Sequence, residues 1–145
     1  MASLPLRQAI YAAWPTLLPD LRYLPVENKD LPRNPPLVLP DVWGTIGFDT
    51  TGRRQMTMGR QPWVEEMGIA TFVVVARSGH GDIPGVTEAT GLMHAWDGWK
   101  ADQSGATCWF QNVGAPSKIA LEAEGEWFLY GVRCDYRVQE QINLP

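Results

Sequence analysis

Gly68-Ile69-Ala70-Thr71-Phe72-Val73-Val74-Val75-Ala76-Arg77-Ser78-Gly79 holds the longest unbroken β-rich apolar run of the chain. Val73, Val74 and Val75 are stiff at χ1 and suit a pleated, packed surface better than a helical turn. Glycines bound the run at both ends, so its length is that of a strand and not of a membrane span. The apolar residues do not alternate with polar ones. That pattern predicts a strand buried on both faces, and hence one central to a sheet. No residue in the run is a candidate catalyst.

Outward from this strand, composition sets the frame. At 145 residues the chain is expected to be one domain, 1–145. A domain of this size buries roughly 70% of its extended-chain surface and needs no staples. A hydrophobic fraction of 45% and seven tryptophans argue for a packed core and against disorder. Twelve basic and sixteen acidic residues give a net charge of −4, which weighs against a generic nucleic-acid binder. Local patches such as Arg53-Arg54 and Arg60 can still meet an anion. No apolar stretch approaches the roughly 20 residues of a membrane helix. The first residues, Met-Ala-Ser-Leu-Pro-Leu-Arg, do not read as a secretory signal. Cys108 and Cys134 lie far apart in strand-like segments and read as buried, reduced thiols of a cytosolic protein.

Before the central strand, Ser3 can cap a helix in which Leu6, Ala9, Ile10, Ala13, Trp14 and Leu17 form one apolar stripe. Pro15 is expected to end or kink it near Trp14. Leu21 to Glu27 reads as a short strand, and about 28–40 as a proline-rich loop or arm. Val42 to Asp49 reads as a strand, Thr50-Thr51-Gly52 as its turn and Arg53 to Met58 as the return strand. That hairpin would carry Arg53-Arg54 at its tip. Trp63 to Met67 then leads into the central strand.

After it, Ser78-Gly79-His80-Gly81-Asp82 reads as a turn capping a second helix. It lacks the spacing of a phosphate-binding fingerprint. The helix is expected to run to about Ala101, with Gly91 and Gly98 as mild defects. Ala106 to Gln111 and Lys118 to Ala123 read as strands around a loop from Asn112 to Ser117. Trp127 to Gln139 reads as the longest strand. Its even positions from Phe128 to Val138 form a buried face, and Leu129 to Arg137 a polar one. Glu140 to Pro145 is expected to be a loose tail.

Little of this carries chemistry. Ser78, His80 and Asp82 are too close in sequence to converge as a triad. His80, Asp82 and His94 lack metal-ligand spacing. Glu65-Glu66 and Glu122, Glu124 and Glu126 read as solvated turns that keep edge strands soluble. The tryptophans read mainly as core. The sum is an α+β domain: a single antiparallel sheet, or a mixed one, with two main helices packed on it.

The pattern resembles the tail-terminator (tail-completion) proteins of long-tailed bacteriophages and related prophage domains. The matching residues are the opening helix from Leu6 to Trp14, the strand around Trp43 to Phe48, and Gln55 to Gly59. The match continues through Trp63 and Glu65, the Gly68 to Ala76 strand ending in Ser78-Gly79-x-Gly81, and the helix with Leu92 and Trp96. Gly125, Trp127 and Tyr136 of the final strand complete it. The resemblance implies a hexameric ring on the end of the tail tube that stops tube growth and meets the head–tail connector. It implies partners in other copies, the tail tube protein and the connector, and DNA crossing the lumen without sequence-specific binding. The expected location is the virion tail, with the host bacterial cytoplasm during assembly. The resemblance brings no catalytic, cofactor-binding or metal residue and no enzyme activity. The candidate assembly interface is Arg53, Arg54, Arg60, Asn112 and Lys118. The alternatives are another head–tail joining or baseplate module, or a small-ligand or phosphate-binding domain using the Ser78 to Asp82 loop.

Overall fold

The computed structural model describes residues 4–19, 21–23, 42–77, 83–121 and 127–142. In chain order its elements are α1 (Leu4–Leu17), β1 (Arg22–Tyr23), β2 (Val42–Gln55), β3 (Trp63–Arg77) and α2 (Ile83–Trp96). β4 (Lys100–Gln103), β5 (Ala106–Gln111), β6 (Ser117–Leu121) and β7 (Trp127–Gln141) follow. The fold is α+β. Strands β2-β3-β7-β5-β4 form a continuous antiparallel body. β1 adds a short parallel pair outside β2, and β6 pairs with β7 beyond the end of β5. The sheet is therefore mixed by one parallel pair.

The central position of the valine run holds. Val73, Val74 and Val75 are each fully buried, and β3 pairs with β2 on one side and β7 on the other. Its boundary does not hold. β3 starts at Trp63, so Gly68 lies inside the strand. A Cβ at Gly68 would collide with the Asp49 carbonyl oxygen and stand 2.6 Å from the Tyr136 ring. The glycine is needed for close approach across the ladder, and it ends nothing.

Nor is Thr50-Thr51-Gly52 a turn. The register passes from Thr50 opposite Gly68 to Gly52 opposite Met67, which makes a β-bulge. A bulge absorbs one residue without breaking the pairing. β2 therefore runs on to Gln55, and the chain reverses over 56–62. Arg53 and Arg54 lie within β2, opposite Glu66 and Glu65, and not at a tip.

Both helices differ in length from expectation. α1 continues through Pro15 to Leu17. The proline removes one ladder donor, while the next turn is secured by the Leu18 N–H on the Trp14 carbonyl (2.8 Å) and Trp14 Nε1 on the Leu21 carbonyl (2.8 Å). Of the expected stripe Leu6, Ala9, Ile10 and Trp14 are buried and Ala13 is half-buried, whereas Leu17, in the last turn beyond Pro15, is exposed. α2 stops at Trp96. Gly98 has φ 70° and terminates the helix from outside. What then follows is a strand, β4, joined to β5 through Ser104 and Gly105 at φ 52° and 81°. Two positive-φ residues make the tight turn that matches strand twist. Lys-Ala-Asp-Gln has little β preference of its own, so only its pairing with β5 makes it a strand.

The C-terminal boundary also moves. Glu140 and Gln141 belong to β7, opposite Val64 and Trp63, and the Ile142 N–H donates to the Pro62 carbonyl at 3.0 Å. The early start of β3 supplies the partner that a loose tail would lack. β6 begins at Ser117, one residue before expectation. Of the Leu21 to Glu27 segment, Arg22 and Tyr23 form β1 and 24–27 lies outside the described residues. The proline-rich stretch 28–40, the capping positions Ser3 and Asp82, and Ser78 to Asp82 lie outside them too.

α2 packs across β3 and β7, and α1 lies near β4 and β5. Between helices and sheet sits an aromatic cluster. The Phe72 ring stacks on Trp96 with centroids 5.1 Å apart, and Trp96 meets Phe110 at 5.6 Å and Trp14 at 6.0 Å. Trp14, Trp43 and Trp96 are buried as expected, whereas Trp63 is 41% exposed. The opposite sheet face divides in two. Trp43, Thr45, Val73, Val75 and Leu129 are buried at one end. The polar face of β7 becomes exposed at Arg133 and Asp135, because Leu129 and Gly131 lie in the buried half.

Trp96 Nε1 is buried and has no hydrogen-bond partner among the described residues. Replacing Trp96 by Ala is expected to lower stability by about 3–5 kcal/mol in urea denaturation. Replacing it by Phe keeps a ring against Phe72 and removes an unpartnered donor. That variant is expected to lose less than half as much, and equal losses would assign the stability to the indole alone.

Candidate functional site

The hairpin end of the open sheet face gathers charge that the sequence scatters. In β3, Trp63, Glu65 and Met67 share one side. The register sets Arg54 and Gln139 directly opposite Glu65, and Arg137 one diagonal away. The Glu65 side chain is 2% exposed. Its Oε1 accepts from Arg54 Nη2 and from Arg137 Nη1, each at 3.1 Å. Its Oε2 accepts from Gln139 Nε2 at 2.7 Å. The Gln139 hydrogen bond, with Arg137 and Arg54 beside it, holds this carboxyl below its ordinary range against the opposing effect of burial. Glu65 is thus a buried carboxylate near the start of β3 and not part of a solvated turn. Its guanidinium partners keep 61% and 37% of their side chains exposed. Along the same face exposed Arg133, Asp135 and Asp49 follow, so cations and carboxylates alternate there.

Beyond the cluster the ribbon is exposed and displays three large apolar side chains beside Arg60 and Gln61. Met58 is 90% exposed, Met56 45% and Trp63 41%. The reversal is ordered by the Met56 N–H on the Trp63 carbonyl (2.7 Å) and the Trp63 N–H on Thr57 Oγ1 (2.8 Å). Gln55 Nε2 adds a bond to the Thr57 carbonyl at 2.7 Å. Sequence alternation alone puts Met56 and Met58 on one strand face. It gives no sign that they stand at the exposed end of a ribbon.

The five candidate interface residues do not form one patch. Arg54 belongs to the Glu65 cluster. Arg53 is exposed, opposite Glu66 and on the other side of β2. Arg60 is exposed in the reversal. Asn112 adopts φ 54° and its Nδ2 donates to Asp135 Oδ2 at 2.9 Å. It borders a shallow recess of about 300 Å³ with Ile69, Arg133 and Asp135, on the same sheet side as Arg54. Lys118 stands in β6 opposite Tyr130, at a register shift.

Cys108 and Cys134 are free and buried. Burial pushes each thiol up to about 12, with nearby carboxylates adding to it. Neutral thiols of this kind are poor nucleophiles. Burial likewise raises the Tyr136 phenol, whose oxygen lies 2.7 Å from Thr50 Oγ1. His94 is exposed on α2. Among the described residues no group of three His, Cys, Asp or Glu side chains is placed to hold a metal ion. No described helix is long and apolar enough to cross a membrane.

No family model matches the chain, and no curated protein matches it. Solved structures do. One, a protein whose name states no function, is similar with a TM-score of 0.56 over 91% of this chain and 94% of its own, at 16% identity. At that identity the likeness concerns the fold alone. It covers nearly the whole of both chains.

The depressed Glu65 carboxyl has a defined pH signature. Its contribution to stability is complete above the ordinary value of 4.5 and is lost as pH falls through the lower native value. Because both arginines reach solvent, hydrogen bonding outweighs the screened charge attraction. Glu65→Gln is expected to cost about 1–3 kcal/mol at neutral pH. In urea denaturation the gap to the unmodified chain should close as the pH drops below 4.5. A gap that stays constant would remove the charge from the account.

Proposed function

We propose that this chain is a structural protein of a long-tailed phage or prophage. In this reading it is a tail terminator that caps the tail tube as a hexameric ring and offers a joining surface to the head connector. Its partners are other copies, the tube protein and the connector. It works in the virion tail after assembly in the bacterial cytoplasm.

The observation that carries the reading is the β2–β3 ribbon. It ends in exposed Met56, Met58 and Trp63, and one of its sides holds the Arg54–Glu65–Arg137 cluster. A ring needs two different patches on each subunit, one to give and one to receive. A ribbon with apolar groups at its end supplies the first. The resemblance of the sequence pattern to tail terminators, from Leu6 to Val138, supplies the biological setting. The mechanism is shape and mild electrostatics. Exposed guanidinium groups suit an acidic neighbour, or phosphates passing through a lumen, where contacts carry no sequence information.

Negative-stain electron microscopy of the concentrated protein tests this, with mass from light scattering. Closed rings with a central hole are the expected result. Dispersed monomers at every concentration, with or without a preformed tail tube, would overturn the terminator reading in favour of another joining or baseplate module. Charge reversal of Arg53 and Arg60 together is expected to raise the concentration needed for assembly by about tenfold. Arg54 is unsuited to this test because its reversal would also disturb Glu65 within the subunit. Normal ring assembly by the double variant would remove both residues from the interface.

A further inference from the structure

We infer that the hairpin end of one copy seats in an aromatic groove at the far end of the next, so that Met58 enters the groove. This inference rests on the ring reading and gives it a specific joint. The groove lies between the last turns of α1 and β1 and has a volume of about 530 Å³. Buried Trp14, Leu18 and Leu21 form its floor, and Tyr11 and Tyr23 flank it. Pro15 and Pro19 complete the lining.

The groove is built rather than incidental. Trp14 is pinned through Nε1 to the Leu21 carbonyl, and its ring meets Tyr23 at 4.9 Å. Tyr11 meets Tyr23 at 5.3 Å. Rings held against one another lose little freedom when something enters, which favours binding. The size falls within the range of sites that take small apolar groups.

The same chain presents a matching group. Met58 is 90% exposed, and Met56 and Trp63 stand beside it at 45% and 41%. None of the three belongs to the core cluster. Methionine is unbranched, polarizable and favourable against ring edges, so it suits an aromatic groove of irregular outline. An ordered turn that displays methionine reads as an interaction surface.

Position completes the argument. The groove sits beside Gly44, where a Cβ would meet the Trp14 ring at 2.8 Å. Gly44 pairs with Val74, whereas the ribbon's last pair is Gln55 with Val64. At about 3.3 Å per residue the two sites are about 33 Å apart along β3. The joint is therefore head to tail. Hexagonal closure on it would place the joints on a circle of radius about 33 Å, wide enough to leave a lumen.

Two surface variants test the inference, Met58→Asp in the knob and Tyr11→Asp in the groove. Met58→Ser and Tyr11→Ser serve as milder versions should either aspartate variant lose its cooperative urea transition. Each is expected to block assembly of the purified protein by itself. Mixed in equal amounts, the two retain one intact knob and one intact groove, and should form a one-to-one dimer that grows no further. Light scattering and microscopy read the outcome. Rings formed by the unmodified chain and equally by both variants would overturn this joint and leave the ring reading standing. Folded variants that assemble with neither partner would overturn the pairing of these two surfaces. A groove covered by the chain's own stretch 24–41 would show as an altered urea midpoint for Tyr11→Asp with association intact, and that too overturns it. An unmodified chain that forms only a closed dimer, broken by either variant and restored by mixing, would support the joint and remove the ring.

Discussion

Fifteen residues of β3 lie against fifteen of β7, paired without a break from Trp63 opposite Gln141 to Arg77 opposite Trp127. The rest of the molecule hangs on this ladder. Long-range antiparallel pairing of two full-length strands fixes a register, and a slip of one residue would turn every side chain to the wrong face. In the observed register Phe72, Val74, Val132, Cys134 and Tyr136 face the helices together. On the other face Val73, Val75 and Leu129 are buried with Trp43. The Val73 to Val75 segment is buried on both sides and has no alternative edge position, which is why β3 takes the middle.

The same register creates the polar cluster. Glu65 would be expensive to bury alone. It is tolerated because β2 delivers Arg54 and β7 delivers Gln139 and Arg137 to its two oxygens. The bulge at Thr50 to Gly52 is part of the same device. It shifts β2 by one residue, so that Arg54 and not Arg53 faces Glu65. Positional control of this kind serves an assembly surface well, since exposed guanidinium groups held by a buried carboxylate lose less freedom on meeting a partner.

The helices on one face and the ribbon beyond them give the chain two unlike ends. One end carries the groove of Tyr11, Trp14 and Tyr23. The other carries Met56, Met58 and Trp63. The proposed tail-terminator role uses that asymmetry directly.

By itself the sequence determined the fold class, the central valine strand, the buried stripe of α1 as far as Trp14, the span of β5 and the buried even-numbered face of β7. Each is a local period or a run of one residue type, and such signals survive without knowledge of neighbours. Only the tertiary structure decided where elements stop and what the charged residues do. Gly68 reads as a boundary until the Tyr136 ring is seen across it. Thr50-Thr51-Gly52 reads as a turn until the neighbouring strand continues past it. Lys100 to Gln103 has no strand character without β5, and Glu140 and Gln141 none without the early start of β3. Glu65 reads as a solvated carboxylate because its three partners are supplied by residues 54, 137 and 139 on two other strands. The period of a segment is written within it. The identity of what lies opposite is set by register, and register is a property of the whole sheet.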